Sequence, residues 1–515
     1  MSLARDVTSV GSATLASRLL GFFRDMGVAA VLGAGALSDA YFAALQIPNL
    51  FRRLLAEGAL NAAFVPTWMG IRNEGGDTRA FAESAFGLVL LGLGAFAILC
   101  ALFAPLVMHA LAPGFAHDSE RAQDAVAFLR LSVPYVAIAG VVAVAAAVLN
   151  AQGRVAAAAF SIVVFNVVLL AALVMVLILQ VGASQLVGDI LSASIVIAGV
   201  VQFVLVAGAL RGSPDYPRRL RVRLCPAVRR FFINALPGVV AAGAPQLKLI
   251  VGAMVASPSQ AAVSWLYYAN RLYELPLGVV SVAVASVLGP RIAASVLVGE
   301  RSTLAAAQSR AFEIAFGLAL PSAVAFIVLA DPIAGGLFER GAFGASDTAA
   351  VAAALAAMSA GLPGHILEKV LGAISFGYQD TRTPMWAALA GLASATVLAL
   401  VLFPRYAQIG VAAAIAVSGW VGASILAVVL WRRGWLALER VAGGRILVIM
   451  LASGAMGVAI VGSNTLVASF FDATGSSLLR LTILAFLVLL GLVVYVAMLH
   501  ALSVVRLREL IAGIR

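Results

Sequence analysis

Charge is what this 515-residue chain has least of. Asp, Glu, Lys and Arg make up 11% of it, against 63% hydrophobic residues; soluble domains carry about 25% charged residues. That balance, with a strongly positive mean hydropathy, excludes an ordinary soluble domain. Cysteine is nearly absent too: Cys100 lies in an apolar run and Cys225 in a basic loop, so neither a disulfide framework nor a CxxC metal site is available. The four histidines, His109, His117, His365 and His500, are scattered. No metal-binding acidic cluster accompanies them and no loop is long enough for an active site, which argues against a membrane glycosyltransferase or phosphatase. The net charge of +11 comes almost wholly from arginines in short loops, a placement that sets membrane topology rather than binding nucleic acid.

What the chain does have is apolar runs long enough to cross a hydrocarbon core of ~30 Å. They predict an all-α polytopic membrane protein of fourteen transmembrane helices, at 11–33, 38–65, 81–110, 123–149, 155–180, 185–210, 227–256, 261–289, 307–335, 346–376, 384–403, 408–431, 443–467 and 478–504. VLGAGA near the N-terminus has the look of a signal-peptide cleavage site, but Arg18, Arg24 and Asp25 would fall inside the apolar region, so cleavage is not expected. Loops after even-numbered spans carry the arginines: Arg72 and Arg79, Arg154, seven between Arg211 and Arg230, then Arg291, Arg301 and Arg310, Arg382, Arg432 to Arg445, and Arg506, Arg508 and Arg515. Loops after odd spans hold only Arg121, Arg340, Arg405 and Arg480, mostly beside acids. The alternation places both termini in the cytoplasm.

The segment RGSPDYPRRLRVRLCPAVRR, residues 211–230, reads as a hinge-like basic linker on an anionic cytoplasmic leaflet. It separates an N-lobe, 1–210, from a C-lobe, 231–433; residues 434–515 hold two more spans. A weak repeat supports the division. LSVPYVAIAGVVAVAAAVLNAQGR in span four and MSAGLPGHILEKVLGAISFGYQDTR in span ten both run from a proline to an aqueous turn, and spans two and eight share paired prolines, Pro48 and Pro66, Pro276 and Pro290. Two halves of six spans share one orientation, an arrangement that puts a transporter's site near the midplane between them.

Charges at membrane depth collect in equivalent spans of the two halves: Arg18, Arg24, Asp25, Arg52, Arg53 and Glu57 in spans one and two, Lys248, Arg271 and Glu274 in spans seven and eight. An arginine at the bilayer centre costs roughly 2.5–3.5 kcal/mol even on the lenient scale. Such residues either pair with one another or line a watery cavity. Arg18, Arg24, Arg52, Arg53, Lys248 and Arg271 oppose Asp25, Asp39, Glu57 and Glu274, and this basic surplus suits a multivalent anion, because guanidinium forks meet phosphate oxygens bidentately. Arg53 and Glu57, at i and i+4, can equally pair as structure. Arg24 and Arg271 have fewer local partners and read as ligand residues. Lys248 either answers an acid or snorkels to the outer interface. Gly11, Gly21 and Gly27 let span one bend or approach another backbone. Glu368 and Lys369 read as a structural pair or end-cap, His365 as a polar helix-packing residue, and Asn166 as an interhelical hydrogen-bond former.

SRLLGFFRD, SDAYFAALQIPNLFRRLLAEGALNAAFVP, ANRLYELPLG and QDTRTP resemble the MurJ (MviN) lipid II flippases of peptidoglycan synthesis, and the resemblance runs over essentially the whole chain. It implies the MOP exporter fold, MATE-like, with two six-helix lobes around a V-shaped central cavity and helices thirteen and fourteen forming a groove for the polyprenyl tail. It implies that Arg18, Arg24, Arg52 and Arg271 meet the diphosphate of lipid II, with Ser17, Asp25, Asp39, Asn49 and Glu57 nearby. It also implies a bacterial inner-membrane location, with membrane lipids around the chain and cell-wall synthases as partners, no enzymatic activity and no cofactor. Asp380 and Thr396 match part of a sodium site found in some family members, while span seven offers Lys248 and Gly252 where an acid is expected. Transport independent of bound sodium is therefore the expectation. A multidrug antiporter of the same fold would need an acidic cavity; a flippase for another polyprenyl-diphosphate-linked oligosaccharide would keep the basic one.

Overall fold

A chain this apolar must satisfy its backbone polar groups internally, and the regular elements among the described residues are all helices. A computed structural model describes residues 3–56, 59–284, 288–439, 441–473 and 477–502. Glu57, Arg440, Arg506, Arg508 and Arg515 lie outside the described residues. The chain forms two compact units, Met1–Ser264 with Gly341–Phe343, and Trp265–Arg340 with Gly344–Arg515.

In the first unit, α1 (Leu3–Leu32) packs along α9 (Val155–Ile178). Span two is three helices, α2 (Ala36–Ala44), α3 (Gln46–Ala56) and α4 (Ala59–Asn73), and span three divides into α5 (Thr78–Leu102) and α6 (Ala104–Leu111). Span four is α7 (Ser119–Ser132) and α8 (Tyr135–Ala151), parted at Val133 and Pro134, which keep helical dihedrals while the proline lacks the N–H that would continue the hydrogen-bond ladder. α10 (Gln185–Leu210) and α11 (Pro226–Ala256) complete the unit. Phe64, Phe81 and Phe231, from α4, α5 and α11, meet edge to face or tilted at 5.0–6.1 Å in its core beside the buried Trp68. Of the glycines expected to shape α1, Gly27 serves a close approach, its missing Cβ lying 3.1 Å from Leu173 of α9. The helix itself runs unbroken.

The second unit contains α12 (Ala262–Ala283, from Trp265 on), α13 (Gly289–Val298), α14 (Arg301–Val328), α15 (Ala330–Phe338), α16 (Ala345–Ser359), α17 (Leu362–Gly377), α18 (Arg382–Arg432), α19 (Ala442–Ala473) and α20 (Ser477–Ala501). At 51 residues α18 would be about 76 Å long, more than twice a bilayer core. It is broken at Ala407, whose φ of 47° is left-handed, so spans eleven and twelve follow one another with hardly a loop. Eight described helices or helix runs are long and apolar enough to cross a membrane, and α16 with α17, bent by 41°, makes a ninth candidate. The long helices α1 and α12 fall outside that set, and these carry Arg18, Arg24 and Asp25, and Arg271 and Glu274.

Candidate functional site

α9 is apolar throughout except for two serine- and asparagine-bearing turns, and Asn166 faces α1. Its side-chain amide donates to the Ser17 carbonyl and hydroxyl, both at 3.1 Å, while its carbonyl oxygen accepts from Arg24 Nη1 at 3.2 Å. The other edge of the same guanidinium, Nε and Nη2, is clamped on Asp25 Oδ1 at 3.0 and 2.7 Å. Arg24, expected to have few local partners, is thus engaged both by Asp25 beside it and by Asn166 of α9. Its side chain keeps 14% exposure while Asp25 keeps 2%. The result is a guanidinium held in one orientation with part of its surface open. Arg18, seven residues before Asp25, shares its face of the helix and is exposed.

In α3, Pro48 occupies the first turn, where its missing N–H costs least. Asn49, Arg52 and Arg53 are half-buried, and the Arg52 guanidinium lies 5.8 Å from the centroid of the Phe165 ring, a cation–π contact with the residue next to Asn166. The expected Arg53–Glu57 pair involves a residue outside the described ones. Lys248 on α11 is 7% exposed, which excludes the snorkelling alternative.

Asp39 differs from expectation. Placed beside the cavity arginines by sequence, it is instead fully buried in protein contacts. Oδ1 accepts from the Ser264 N–H at 2.8 Å and hydroxyl at 2.6 Å, and Oδ2 from the Ala261 N–H at 2.7 Å and from Arg121 at 3.3 Å. Arg121, 3% exposed, also donates to the Ser257 carbonyl at 2.7 Å and lies 4.1 Å from the Phe115 ring centroid. A carboxylate with both oxygens so engaged acts as a clasp between α2, α7, the turn 257–261 and the first turn of the helix that follows, which begins at Ala262. Asp39 is thus paired with Arg121 rather than with the arginines of α1 and α3.

In the second unit, Arg271 and Glu274 form an i,i+3 pair at 3.5 Å, and the Asn270 amide donates to Glu274 at 3.1 Å. Both charged side chains remain 22–23% exposed. Directly before Glu274 in the chain, the Tyr273 hydroxyl meets His365 Nδ1 at 2.7 Å. A Cβ on Gly419 would strike that imidazole and one on Gly422 the Glu368 carboxylate, so the second half of α18 accommodates both polar side chains of α17 by lacking its own. The Asp380–Thr396 match to a sodium site is corrected. Asp380 accepts from the Thr383 hydroxyl and N–H, the Arg382 N–H and Arg433, whereas Thr396 is about 20 Å further along α18 than Thr383 and bonds the Leu392 carbonyl. The two cannot share an ion. No group of three or more His, Cys, Asp and Glu fit to hold a metal occurs among the described residues.

Known proteins resemble the chain throughout. The family model described as lipid II flippase MurJ matches residues 28–482. A probable lipid II flippase MurJ of Rhizobium tropici is 37% identical over 96% of this chain and 93% of its own length. One of Rhizobium meliloti is 40% identical over 84% and 82%, and the lipid II flippase MurJ of Burkholderia cenocepacia is 31% identical over 84% and 85%. Among solved structures, a lipid II flippase MurJ in an inward closed conformation superposes with a TM-score of 0.79 at 24% identity, covering 98% of this chain and 99% of that one. An inward-facing MATE-family multidrug resistance transporter of the MOP superfamily gives 0.66 at 13% identity over 84% and 95%.

Proposed function

This chain belongs to the lipid II flippase MurJ family, and from that premise we propose how it carries lipid II: from the cytoplasmic to the periplasmic leaflet of the bacterial inner membrane, by alternating access, with both termini cytoplasmic. Arg18, Arg24 and Arg52 of the first unit and Arg271 of the second receive the diphosphate. The polyprenyl tail stays in lipid, against helices of the 434–515 region, so only the polar head is moved past the hydrocarbon. As in transporters generally, the protein's task is binding and conformational change, with no covalent step.

The observation that carries this reading is the Ser17–Asn166–Arg24–Asp25 network. A guanidinium fixed on one edge by a neutral amide and on the other by a single carboxylate oxygen is pre-oriented. A diphosphate, with more negative charge than Asp25, competes for the same N–H groups without any reorganisation of the helix. The basic surplus disfavours a cationic drug as cargo.

The test is leaflet-resolved detection of lipid II in cells depleted of this protein and supplied with a plasmid copy. The wild-type copy should restore precursor to the outer leaflet. Arg24→Ala and Arg271→Ala should each leave it on the inner one while accumulating as folded protein. Normal growth and normal outer-leaflet lipid II with Arg24→Ala would defeat the assignment.

A further inference from the structure

Between α10 and α11 the residues from Arg211 to Cys225 contain no helix, and the sequence expectation there is a hinge. The structure has a fastened strap instead. Asp215, 5% exposed, accepts from the Thr78 hydroxyl on one oxygen and from the Gln152 amide, at 2.8 Å, on the other. Glu83, 1% exposed, accepts the N–H groups of Arg218 and Arg219 at 3.1 and 3.3 Å and pairs with Arg221 at 2.7 Å. Arg79 Nε donates to the Pro214 carbonyl at 2.7 Å. The strap runs so close to α5 that a Cβ on Gly87 would stand 2.3 Å from the Arg221 carbonyl oxygen.

This fastening turns the local acids inward and the bases outward. Arg79, Arg211 and Arg218 line an open cleft of about 420 Å³ together with Ser213, Pro214 and Tyr216, and no acidic side chain lines it. Arg211 and Arg218 are exposed and have no ion pair among the described residues. Directly after the cleft the sequence alternates Arg219-Leu220-Arg221-Val222-Arg223-Leu224, and Leu220, Val222 and Leu224 are 60–62% exposed. A basic cleft beside three exposed aliphatic side chains, at the end of a helix apolar and long enough to cross the membrane, has the two-part chemistry of the bilayer interface. Apolar groups settle at the acyl boundary, and arginines meet phosphate.

We propose that the strap is a binding site for an anionic phospholipid of the leaflet it faces, with the lipid phosphate in the cleft of Arg79, Arg211 and Arg218 and the Leu220, Val222 and Leu224 row in the interface beside it. The apolar row selects a lipid over a free phosphate, which could use the cleft alone.

The full-length protein in nanodiscs of phosphatidylcholine with a minor fraction of phosphatidylglycerol provides the test, with lipids retained after release counted by native mass spectrometry. The wild type should retain phosphatidylglycerol in preference to phosphatidylcholine. Arg211→Gln and Arg218→Gln, chosen because Arg79 also holds the strap, should each lower that retention about fivefold, the change that about 1 kcal/mol per arginine near an anionic surface gives. Neither should shift the thermal melting of the protein. Leu220→Ser with Val222→Ser and Leu224→Ser should weaken retention with the arginines intact. Millimolar inorganic phosphate should not displace the lipid. Equal retention by wild type and Arg211→Gln/Arg218→Gln would overturn the site, and displacement by inorganic phosphate would overturn the lipid as its occupant.

Discussion

Arg24 carries its charge into a bilayer-length helix with Asp25 beside it and Asn166 opposite, so its reactivity toward a ligand depends on residues that carry no net charge with it into the site. Hydrogen bonds to charged groups contribute about 1.5–3 kcal/mol. Asn166→Ala should therefore slow lipid II translocation roughly tenfold or more, with Arg24 still present, because the guanidinium loses its fixed edge. Reconstituted vesicles with a fluorescent lipid II would report the rate, and a wild-type rate would show that orientation is not set there. At Asp380 the expected effect is on stability and depends on pH. Burial alone would raise its carboxyl, but hydrogen bonds from the Thr383 side chain and backbone, Arg433 and Arg382 outweigh it and hold the group at about 2, against 3.8 ordinarily. A depressed carboxylate stabilises the fold above its unfolded value and ceases to as pH falls from about 4 toward 2. The melting temperature of the wild type should exceed that of Asp380→Asn at neutral pH, and the gap should close across that interval. A gap that stays constant down to the acid end would mean that ionisation of Asp380 is not the source.

At the scale of elements, the Asp39–Arg121 pair is the fastening with the largest expected effect. Breaking a buried ion pair from one side leaves an uncompensated charge and costs roughly 3–5 kcal/mol. Arg121→Met should thus lower thermal stability strongly, and Asp39→Asn combined with Arg121→Met should recover part of the loss, since no stranded carboxylate remains. If the double variant melts no higher than the single one, the clasp holds by hydrogen bonds rather than by charge balance. The same pair marks the limit of what could be read from sequence. The helices were legible because apolar runs of membrane length admit no other structure. Span four reads in sequence as one undivided run although Pro134 stands at its parting, and the interruptions at Phe103 and Leu329 are likewise followed by a proline in the first turn of the next helix, Pro105 and Pro332, a signal that apolar runs of membrane length mask. The charged residues of spans one, two and eight stood out by their cost in lipid, but not their partners: Arg121 is 82 residues from Asp39 and Asn166 is 142 from Arg24. A lone asparagine in the apolar α9 was the available signal for the second. Nothing local marked Arg121, which reads as a loop arginine with Asp118 and Glu120 beside it.

For the whole molecule, the remaining question is what drives the cargo across, and the carboxylates bear on it. A resident sodium ion needs several oxygen donors converging on one point. Asp380, the acid that matches part of such a site, has its carboxylate engaged by Thr383, Arg382 and Arg433, and Thr396 lies too far along α18 to join it. On α11, where the family resemblance leads one to expect an acid, this chain carries the buried cation Lys248, which cannot donate an oxygen to an ion. Lipid II movement into the far leaflet of proteoliposomes should consequently proceed at an undiminished rate when choline or potassium replaces sodium on both sides, with the membrane potential held fixed by an ionophore. Lys248→Ala in the same vesicles separates the two roles of that lysine: if its charge stands in for a bound ion, the variant slows in every salt. Translocation that collapses in the wild type on withdrawing sodium would instead require a sodium site assembled from other oxygens.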